Sequence, residues 1–549
     1  MNSNIRYRAV TVSAAAQALL YALAFTIVAG PCSAQEPPSA AQHAWGRVRF
    51  ESSDQRLVAG FNWAKQQALA YVFTGDPVGD WYEAALPGRS AFCMRDVSHQ
   101  SIGAQVLGLA AFNRNMLHKF AASIAESRGW CGYWEINKFD QPAPVDYRND
   151  QDFWFNLPAN FDVVNTCYEA YQWTGDTSYL NDPVFLNFYQ RTFNDYIRHW
   201  DKDGKGVPES FPEYGHRGLG SYDENPNLHI KIGGDLLAAE YAAYLAYASI
   251  ADLRHDPAEA ASLRAKAAAL RQWYNDDWWD ARWQVFNSAL LSNDKMYFES
   301  STSSLPLWFG LVQPGDKLQH ELDLVVHLQS PGEFFQERRD ERDAHQLEAE
   351  LAPRLPAPGV EEMSYLPEIA YRYGADARGY ALLLALMDPG LQRREYPEVS
   401  YSVIRTVAVG VMGMDPDAAK RTVKTLSHLT GETAWATLEN VPVFNNQVAI
   451  SHAGLTASTF TNQSGPAVDW KATFHGSCHT LVVDGKAMPA QPEQGGDGNP
   501  ESFVVVSVEP GRKITVGTKA GPAGHGAPAT VGGAMDTVES ETARVFAHR

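Results

Sequence analysis

The chain has 549 residues, of which 45% are hydrophobic, and its formal net charge at pH 7 is −19. This length exceeds that of a single small domain and is enough for a large core. A nucleic-acid-binding protein normally carries a basic patch or domain, and the sequence shows none, so we expect no nucleic-acid partner. The excess of acidic residues favours solubility.

Residues 1–34 have the pattern of a secretory signal peptide. Arg6 and Arg8 form a basic start, the apolar run AAAQALLYALAFTIVAG follows, and the small residues of CSA precede Gln35. A membrane anchor is the alternative interpretation. No later run of about 18 apolar residues appears, so we expect no membrane contact after signal removal. The pattern predicts a periplasmic or secreted protein, with residues 35–50 as an extended leader.

Residues 51–431 show a repeating pattern of amphipathic helices, with apolar side chains at helical spacing in Leu57, Phe61, Ala64, Ala68 and Tyr71. The pattern predicts twelve helices, over 55–74, 95–110, 114–127, 160–174, 178–200, 231–254, 257–278, 302–313, 315–328, 363–374, 376–388 and 399–413. Long connections follow the odd-numbered helices, and most of the others are only a few residues long. In a ring of antiparallel hairpins the long connections would share one end, where they would form the walls of a cleft.

The pattern changes at about residue 432. Segments such as LTASTFTNQSG and SFVVVSVEPGRKITVGT alternate polar with apolar residues and are interrupted by Gly and Asn. They predict short antiparallel strands, and therefore an all-β unit over 432–519. The Gly- and Ala-rich tail, 520–549, is predicted to be disordered.

Four cysteines remain after the predicted signal peptide: Cys93, Cys131, Cys167 and Cys478. One disulfide is possible in an oxidising compartment, and buried inert thiols are the alternative. The C-x-x-C spacing of a zinc site is absent. The segment DKDGKG at 201–206 lacks the regular ligand spacing of a calcium loop. We therefore predict neither a metal nor a cofactor.

Five segments carry a resemblance to a known superfamily: PGRSAFCMRDVSHQSIGAQVLGL, GYWEINKFD, GVPESFPEYG, KIGGDLLAAEYAAYLAYA and EYPEVSYSVIRTVAVGVMG. Over about residues 50–515 the chain resembles the six-hairpin glycosidases, which include glucoamylase-type and α-rhamnosidase-type enzymes. The resemblance implies a mainly α fold class, with an (α/α)6 barrel followed by a small C-terminal antiparallel β-sandwich domain. It also implies an exported glycoside hydrolase that acts on oligosaccharides or glycan fragments, commonly with inversion.

Hydrolysis of a glycosidic bond requires a protonated carboxyl group and an ionised carboxylate. In the superfamily the general acid typically lies after the fifth helix, and the base lies before the last. The resemblance therefore implies Glu209 as the acid, with Glu213 as the alternative on the same loop. Glu398 stands at a predicted helix start, where an ionised carboxylate is stabilised, and is the implied base. Glu362 is the substitute, and simple capping or solvated roles are the structural alternatives.

Other side chains on the long connections have types that suit sugar binding. Arginine offers planar paired donors, carboxylates accept from hydroxyl groups, and aromatic faces stack on sugar C–H surfaces. Ion pairing within a helix and packing of a folded loop explain the same residues structurally. The predicted binding residues are Arg95, Asp96, His99, Trp134, Glu135, Asp152, Trp154 and Glu299.

Two further functional classes stay open. A polysaccharide lyase could use Tyr214, His216 and His229 on the same scaffold, and a non-catalytic glycan-binding protein would retain only the aromatic residues. Motifs of nucleotide-binding loops, serine hydrolases and zinc proteases are absent. The predicted partner is a carbohydrate, and the oligomeric state stays open.

Overall fold

The computed structural model describes residues 45–518, apart from 85–86, 226 and 340–343. The predicted signal peptide, most of the predicted leader and the predicted disordered tail lie outside these residues. Within the described ranges, every helix is too short or too polar to cross a membrane.

Twelve helical segments of the described chain follow the predicted pattern closely. The helices are α1 Gln55–Ala70, α2 Met94–Val106, α3 Ala110–Ser123, α4 Ala159–Thr174, α5 Pro183–Gln190 continued by Arg191–Tyr196 and Ile197–Trp200, α6 Gly234–Leu253, α7 Pro257–Asp277, α8 Leu305–Trp308, α9 Asp316–Val326, α10 Leu366–Arg372, α11 Asp376–Met387 and α12 Pro397–Arg405 continued by Thr406–Val411. Helix α8 is shorter than predicted. Gly310, with φ +74°, turns the chain out of the helical conformation soon after it.

The even-numbered helices contact one another in a closed series. Helix α2 packs on α4, α4 on α6, α6 on α8 and α8 on α10, and the final turns of α12 pack on α10 while its first turns pack on α2. The odd-numbered helices pack against this series, as α7 does on α6 and α1 on α12. The even-numbered helices therefore begin next to the long connections, and their C-terminal ends meet the short ones.

The strands at the C-terminal side are preceded by one strand from the start of the described chain. They are β1 Arg49–Ser52, β2 Asp415–Asp417, β3 Thr422–Leu426, β4 Trp435–Val443, β5 Asn446–Ala453, β6 Ala457–Ser464, β7 Val468–His475, β8 Thr480–Val483, β9 Lys486–Pro489, β10 Gln491–Gln494, β11 Pro500–Val508 and β12 Lys513–Gly517. One sheet has the order β1-β4-β5-β6-β12-β8-β9, and the other has the order β2-β3-β7-β11-β10. The sheets contact each other through the stacked rings of Phe460 and Trp470, whose centroids are 5.6 Å apart.

Three features of these sheets differ from the sequence prediction. Strands begin at Asp415, before residue 432, and Arg49–Ser52 joins the sheet by pairing with β4. The pairing of β3 with β7 is parallel, with Thr422 opposite Asp469, so the sheet is not wholly antiparallel. All three features depend on partners that are distant in the chain, which local alternation does not reveal.

Candidate functional site

A cavity of about 500 Å³ lies where the even-numbered helices begin. All six long connections contribute to its wall, as the connection lengths predict. The lining residues are Arg89, Cys93, Arg95, Asp96, Trp134, Asp146, Trp154, Tyr222, Glu224, Ser301, Pro356, Ala357, Pro358, Gly359, Glu361, Glu362, Arg393 and Tyr396.

Short strands tie neighbouring connections together at this end of the molecule. Ala91–Cys93 pairs with Glu135–Asn137, and Ile230–Gly233 pairs with Ala289–Leu291. The first of these strands leads directly into α2, so that Arg95 and Asp96 stand in the first helical turn. The cavity wall is therefore held by backbone hydrogen bonds between connections.

Arg95 and Asp96 form a fixed pair on the cavity wall. The Nε atom of Arg95 lies 3.0 Å from Oδ1 of the buried Asp96. The guanidinium group of Arg95 also lies over the ring of Tyr222, 5.4 Å from its centroid. Packing on both sides orients the planar donors of Arg95, which suits recognition of a polar ligand.

Glu224 reaches the cavity from the connection between α5 and α6. Its side chain is exposed to the cavity, but the surrounding protein still limits its hydration, and this burial raises the pKa of its carboxyl group. The charge of Arg95 opposes that rise. Beside it, Trp154 Nε1 donates to Asn156 Oδ1 at 2.8 Å, which fixes the indole ring.

Glu362 lies on the short helix Val360–Met363, ahead of α10. Its side chain is buried, and Ser304 Oγ donates to its Oε1 atom at 3.1 Å. Burial raises the pKa of Glu362 to about 8, although the hydrogen bonds with Ser304 act in the opposite direction. This shift favours the protonated form of the carboxyl group.

Glu135 lies behind the wall, close to two lining residues. Its Oε2 atom is 3.4 Å from Nη1 of Arg89, and that arginine is 4.0 Å from Asp146 Oδ2. Burial, followed by the neighbouring Asp146 carboxyl group, raises the pKa of Glu135. Two acids thus share one arginine at this point of the wall.

A buried hydrogen-bonded chain lies beneath the wall. His99 Nε2 is 3.0 Å from Asp162 Oδ2, and its Nδ1 is 2.7 Å from the hydroxyl group of Tyr365. That hydroxyl group donates to Glu398 Oε1 at 2.8 Å. Burial, followed by the charge of Asp96, raises the pKa of Glu398 to about 8. The chain joins α2, α4 and the start of α12.

The structure separates the sequence-predicted site residues into three groups. Glu362, Arg95, Asp96, Trp134 and Trp154 line the cavity. His99, Glu135 and Glu398 are buried next to it, and do not line it. The remaining four, which do not line it either, are Glu209, Glu213, Asp152 and Glu299.

The environments of these four residues explain their positions. Glu209 is buried, with Lys231 Nζ at 3.2 Å from its carboxylate, and Glu213 is exposed on the turn Pro212–Arg217. Asp152 pairs with His216 and Arg148. Glu299 accepts a hydrogen bond from the Tyr297 hydroxyl group at 3.1 Å. Each of these four carboxylates therefore contacts a protein partner or solvent, and other acids line the cavity.

Several lining residues were not predicted from the sequence: Arg89, Asp146, Tyr222, Glu224, Glu361, Arg393 and Tyr396. A signal for Glu224 was available, since SYDEN places two acids and a tyrosine on the same connection as Glu209.

Tyr214, His216 and His229, which a lyase would need, do not line this cavity. Cys93, Cys131 and Cys167 are buried free thiols, as the second alternative predicted, whereas the free thiol Cys478 is only partly buried.

No family model matches the sequence, and no curated protein is similar to it. Among solved structures, the chain is similar to an α-L-rhamnosidase from Dictyoglumus thermophilum, with 13% identity and a TM-score of 0.51 over 86% of this chain and 50% of that one. It is also similar to a sialidase, with 11% identity and a TM-score of 0.51 over 74% of this chain and 38% of that one. A GH78 family rhamnosidase of a Bacillus species has 16% identity and a TM-score of 0.48, over 74% of this chain and 40% of that one.

The chain thus spans half or less of the length of these solved structures. At such identities the likeness concerns the fold alone. The fold is similar to that of an α-L-rhamnosidase, one of the enzyme types to which the predicted resemblance points.

Proposed function

We propose that this protein is an exported glycoside hydrolase and that the cavity at the start of the even-numbered helices is its active site. One observation carries the proposal: all six long connections meet at one cavity, and its wall has carboxyl groups as well as aromatic faces. Glycoside hydrolysis requires two carboxyl groups on either side of the scissile bond. The cavity supplies such groups from several independent connections.

We infer that the twelve helices form an (α/α)6 barrel and that the two sheets form a β-sandwich. The closed contact series of α2, α4, α6, α8, α10 and α12 supports the first inference. The contact between Phe460 and Trp470 supports the second. Export is inferred from the signal-like pattern of residues 1–34, and sequencing the N-terminus of the mature protein tests it.

Glu362 and Glu224 are the proposed catalytic pair. Glu362 is buried, and the raised pKa of its carboxyl group favours the protonated form, so it suits the role of general acid. Glu224 is more exposed to the cavity, and the charge of Arg95 favours its ionised form, so it suits the activation of a water molecule. These roles replace Glu209, which is engaged with Lys231.

The remaining groups of the cavity fit a neutral sugar. Trp134 and Trp154 supply aromatic faces, while the Arg95–Asp96 pair supplies donors and acceptors for hydroxyl groups. The described lining has five acids, at 96, 146, 224, 361 and 362, against three arginines, at 89, 95 and 393. This charge balance disfavours a uronic acid, which a lyase would require. Inversion is the outcome that the resemblance implies, and NMR of the first-formed anomer tests it.

The main experiment compares Glu224→Gln and Glu362→Gln with the unmodified mature protein on a panel of neutral oligosaccharides. New reducing ends report hydrolysis, and near-ultraviolet absorbance reports elimination. Each variant is expected to lose about a thousandfold in kcat/KM, which corresponds to about 4 kcal/mol of transition-state stabilisation. Glu361→Gln and Glu209→Gln are the controls, because the first changes an adjacent lining acid and the second an acid outside the lining. Equal losses in all four variants would contradict the assignment.

A second measurement separates the two proposed roles. An aryl glycoside with a good leaving group needs little protonation, so Glu362→Gln is expected to retain much of its activity on that substrate. Azide replaces a missing base or nucleophile, so it is expected to restore turnover to Glu224→Ala and not to Glu362→Ala. The reverse pattern would exchange the two roles.

A further inference from the structure

A second group of side chains lies at the junction between the helices and the strands. Asp376 begins α11, His428 follows β3 and His475 ends β7. Each of the three residues offers one ligand atom, and these atoms all lie within 4.8 Å of one another. The distance between His428 Nδ1 and Asp376 Oδ1 is 2.9 Å. Three separate parts of the fold therefore meet at one point.

The orientation of His475 is already fixed by the backbone. Its Nε2 atom donates to the carbonyl oxygen of Ser427 at 2.9 Å, so the tautomer with a free Nδ1 is favoured. A histidine that binds a metal usually donates its other ring N–H to such an oxygen. Ser427 immediately precedes His428, so the same backbone segment positions both imidazole rings.

A separate cavity lies beside the two histidines of this group. It has a volume of about 550 Å³ and lies at the C-terminal ends of the even-numbered helices, where the strands cover them. His428 and His475 line it, together with Arg405, Lys424 and Glu501. None of its lining residues belongs to the proposed active site. Coordination positions not used by the protein would therefore face water.

We propose that Asp376, His428 and His475 bind a divalent transition-metal ion of the Zn²⁺ type. Two imidazole nitrogens and one carboxylate oxygen, with an open position for water, form a usual ligand set for this ion. The bound ion would connect α11 with β3 and β7, and thus the helical part with the strands. This site is independent of the proposed hydrolase activity.

A second group with metal-ligand residues serves as a comparison. Asp323, His327 and Glu337 also come within 4.8 Å of one another. Arg338 already pairs with Asp323, and Glu337 is exposed. A cation there would have to displace the guanidinium group, so His327→Gln is the matched control.

The experiment uses the full mature chain, stripped with a chelator and dialysed. Zn²⁺ binding is measured by calorimetry and by metal analysis, and thermal unfolding is followed with and without the ion. Unmodified protein and His327→Gln are expected to bind Zn²⁺ at this site and to gain thermal stability, because a ligand that binds only the folded state stabilises it. His428→Gln and His475→Gln are expected to lose at least a hundredfold in affinity and to show no gain.

Co²⁺ provides a spectroscopic test of the ligands. Its visible bands are expected in the unmodified protein and are expected to change in His475→Gln. Far-ultraviolet circular dichroism of the metal-free variants tests their folding, and Asp376→Asn replaces any histidine variant that fails to fold. The proposal would be overturned if the unmodified protein took up no Zn²⁺, or if the Asp376, His428 and His475 variants took up as much Zn²⁺ as the unmodified protein. The contact between His428 and Asp376 would then be a hydrogen bond and no more.

Discussion

Glu362 illustrates how burial sets the charge of a single side chain. Its pKa is about 8 in the folded protein, against 4.5 for an unperturbed glutamate. Since the folded-state value is higher, the protonated carboxyl group contributes fully to stability below pH 4.5, and this contribution is lost as the pH rises to 8. Between pH 5 and pH 9, the unmodified protein is expected to lose about 4 kcal/mol relative to Glu362→Gln. Urea unfolding at both pH values measures the difference.

Glu361→Gln is the control for this stability prediction. Glu361 is adjacent in the chain and only partly buried, and Arg393 Nη2 lies 2.8 Å from its Oε1 atom. Its replacement is expected to give a stability difference that changes little between pH 5 and pH 9. If Glu362→Gln behaves in the same way, Glu362 is ionised in the folded protein and cannot be the proposed acid at neutral pH.

The same group sets an expected pH limit on activity. A general acid must be protonated, so kcat/KM is expected to fall as the pH rises through about 8. The decline is expected to be about tenfold for each pH unit above that value. Initial rates on a neutral oligosaccharide between pH 5 and pH 10 measure it. A profile that is flat up to pH 10 would exclude Glu362 from this role.

The sequence located a side chain on the cavity wall where a local pattern determined its position. Arg95 and Asp96 stand at a helix start that the apolar spacing locates, and both line the cavity. Glu209 and Glu224 belong to one connection, but the resemblance implied only the first, and Glu224 was not predicted. Glu209 meets Lys231, whereas Glu224 meets the cavity, and these contacts depend on the folded path of the loop.

At the scale of elements, α2 and α12 approach each other without an intervening side chain. A Cβ atom on Gly103 would lie 2.2 Å from the backbone oxygen of Tyr401. Gly103→Ala is therefore expected to force the two helices apart and to lower the free energy of unfolding by about 1–3 kcal/mol. Thermal unfolding measures this loss. Activity is expected to fall as well, because α2 carries Arg95 and Asp96.

Gly332→Ala is the control for the helix contact. Gly332 is exposed in the helix Pro331–Glu337, and a Cβ atom there would meet nothing within 4 Å. Alanine favours the helix by up to about 1 kcal/mol, so this change is expected to be neutral or slightly stabilising. A Gly103→Ala protein as stable as Gly332→Ala would show that α2 and α12 adjust without cost.

The predicted elements follow from periodicity. The features that were not predicted depend on contacts between distant parts of the chain. Amphipathic spacing located the twelve helices, including α2 and α6, although these two are buried on nearly all sides. Alternation located β4 to β7. It did not locate β1, which pairs with β4 near Glu439, or the parallel pairing of β3 with β7, since a strand partner that is not adjacent in the chain leaves no local pattern.

At the scale of the whole molecule, the two ends of the even-numbered helices have different surroundings. Their N-termini meet six long connections, where free backbone N–H groups and the helix dipoles favour negative charge. Their C-termini meet the strands and the second cavity. The proposed hydrolysis at the N-terminal ends and the proposed metal-bound contact at the C-terminal ends would therefore be separable properties of one chain.

The strands are expected to depend on segments outside the unit that sequence alternation delimits. A fragment of residues 432–518 lacks β1, β2 and β3. Strand β3 pairs with β7 over five residues, and Trp470 Nε1 donates to the buried Thr425 Oγ1 at 2.9 Å. Without β3, the indole N–H of Trp470 loses its partner, and one edge of β7 loses its neighbouring strand. This fragment is therefore expected not to unfold cooperatively.

Near-ultraviolet circular dichroism and urea unfolding, followed by the fluorescence of Trp435 and Trp470, measure the behaviour of this fragment. A longer fragment, 413–518, restores β2 and β3 and is the control. It is expected to regain a cooperative transition, but at a lower urea concentration than the full chain, because the edge left by β1 on β4 stays unpaired. A sharp transition for 432–518 equal to that of 413–518 would show that the pairing of β3 with β7 contributes little to the stability of the sheets.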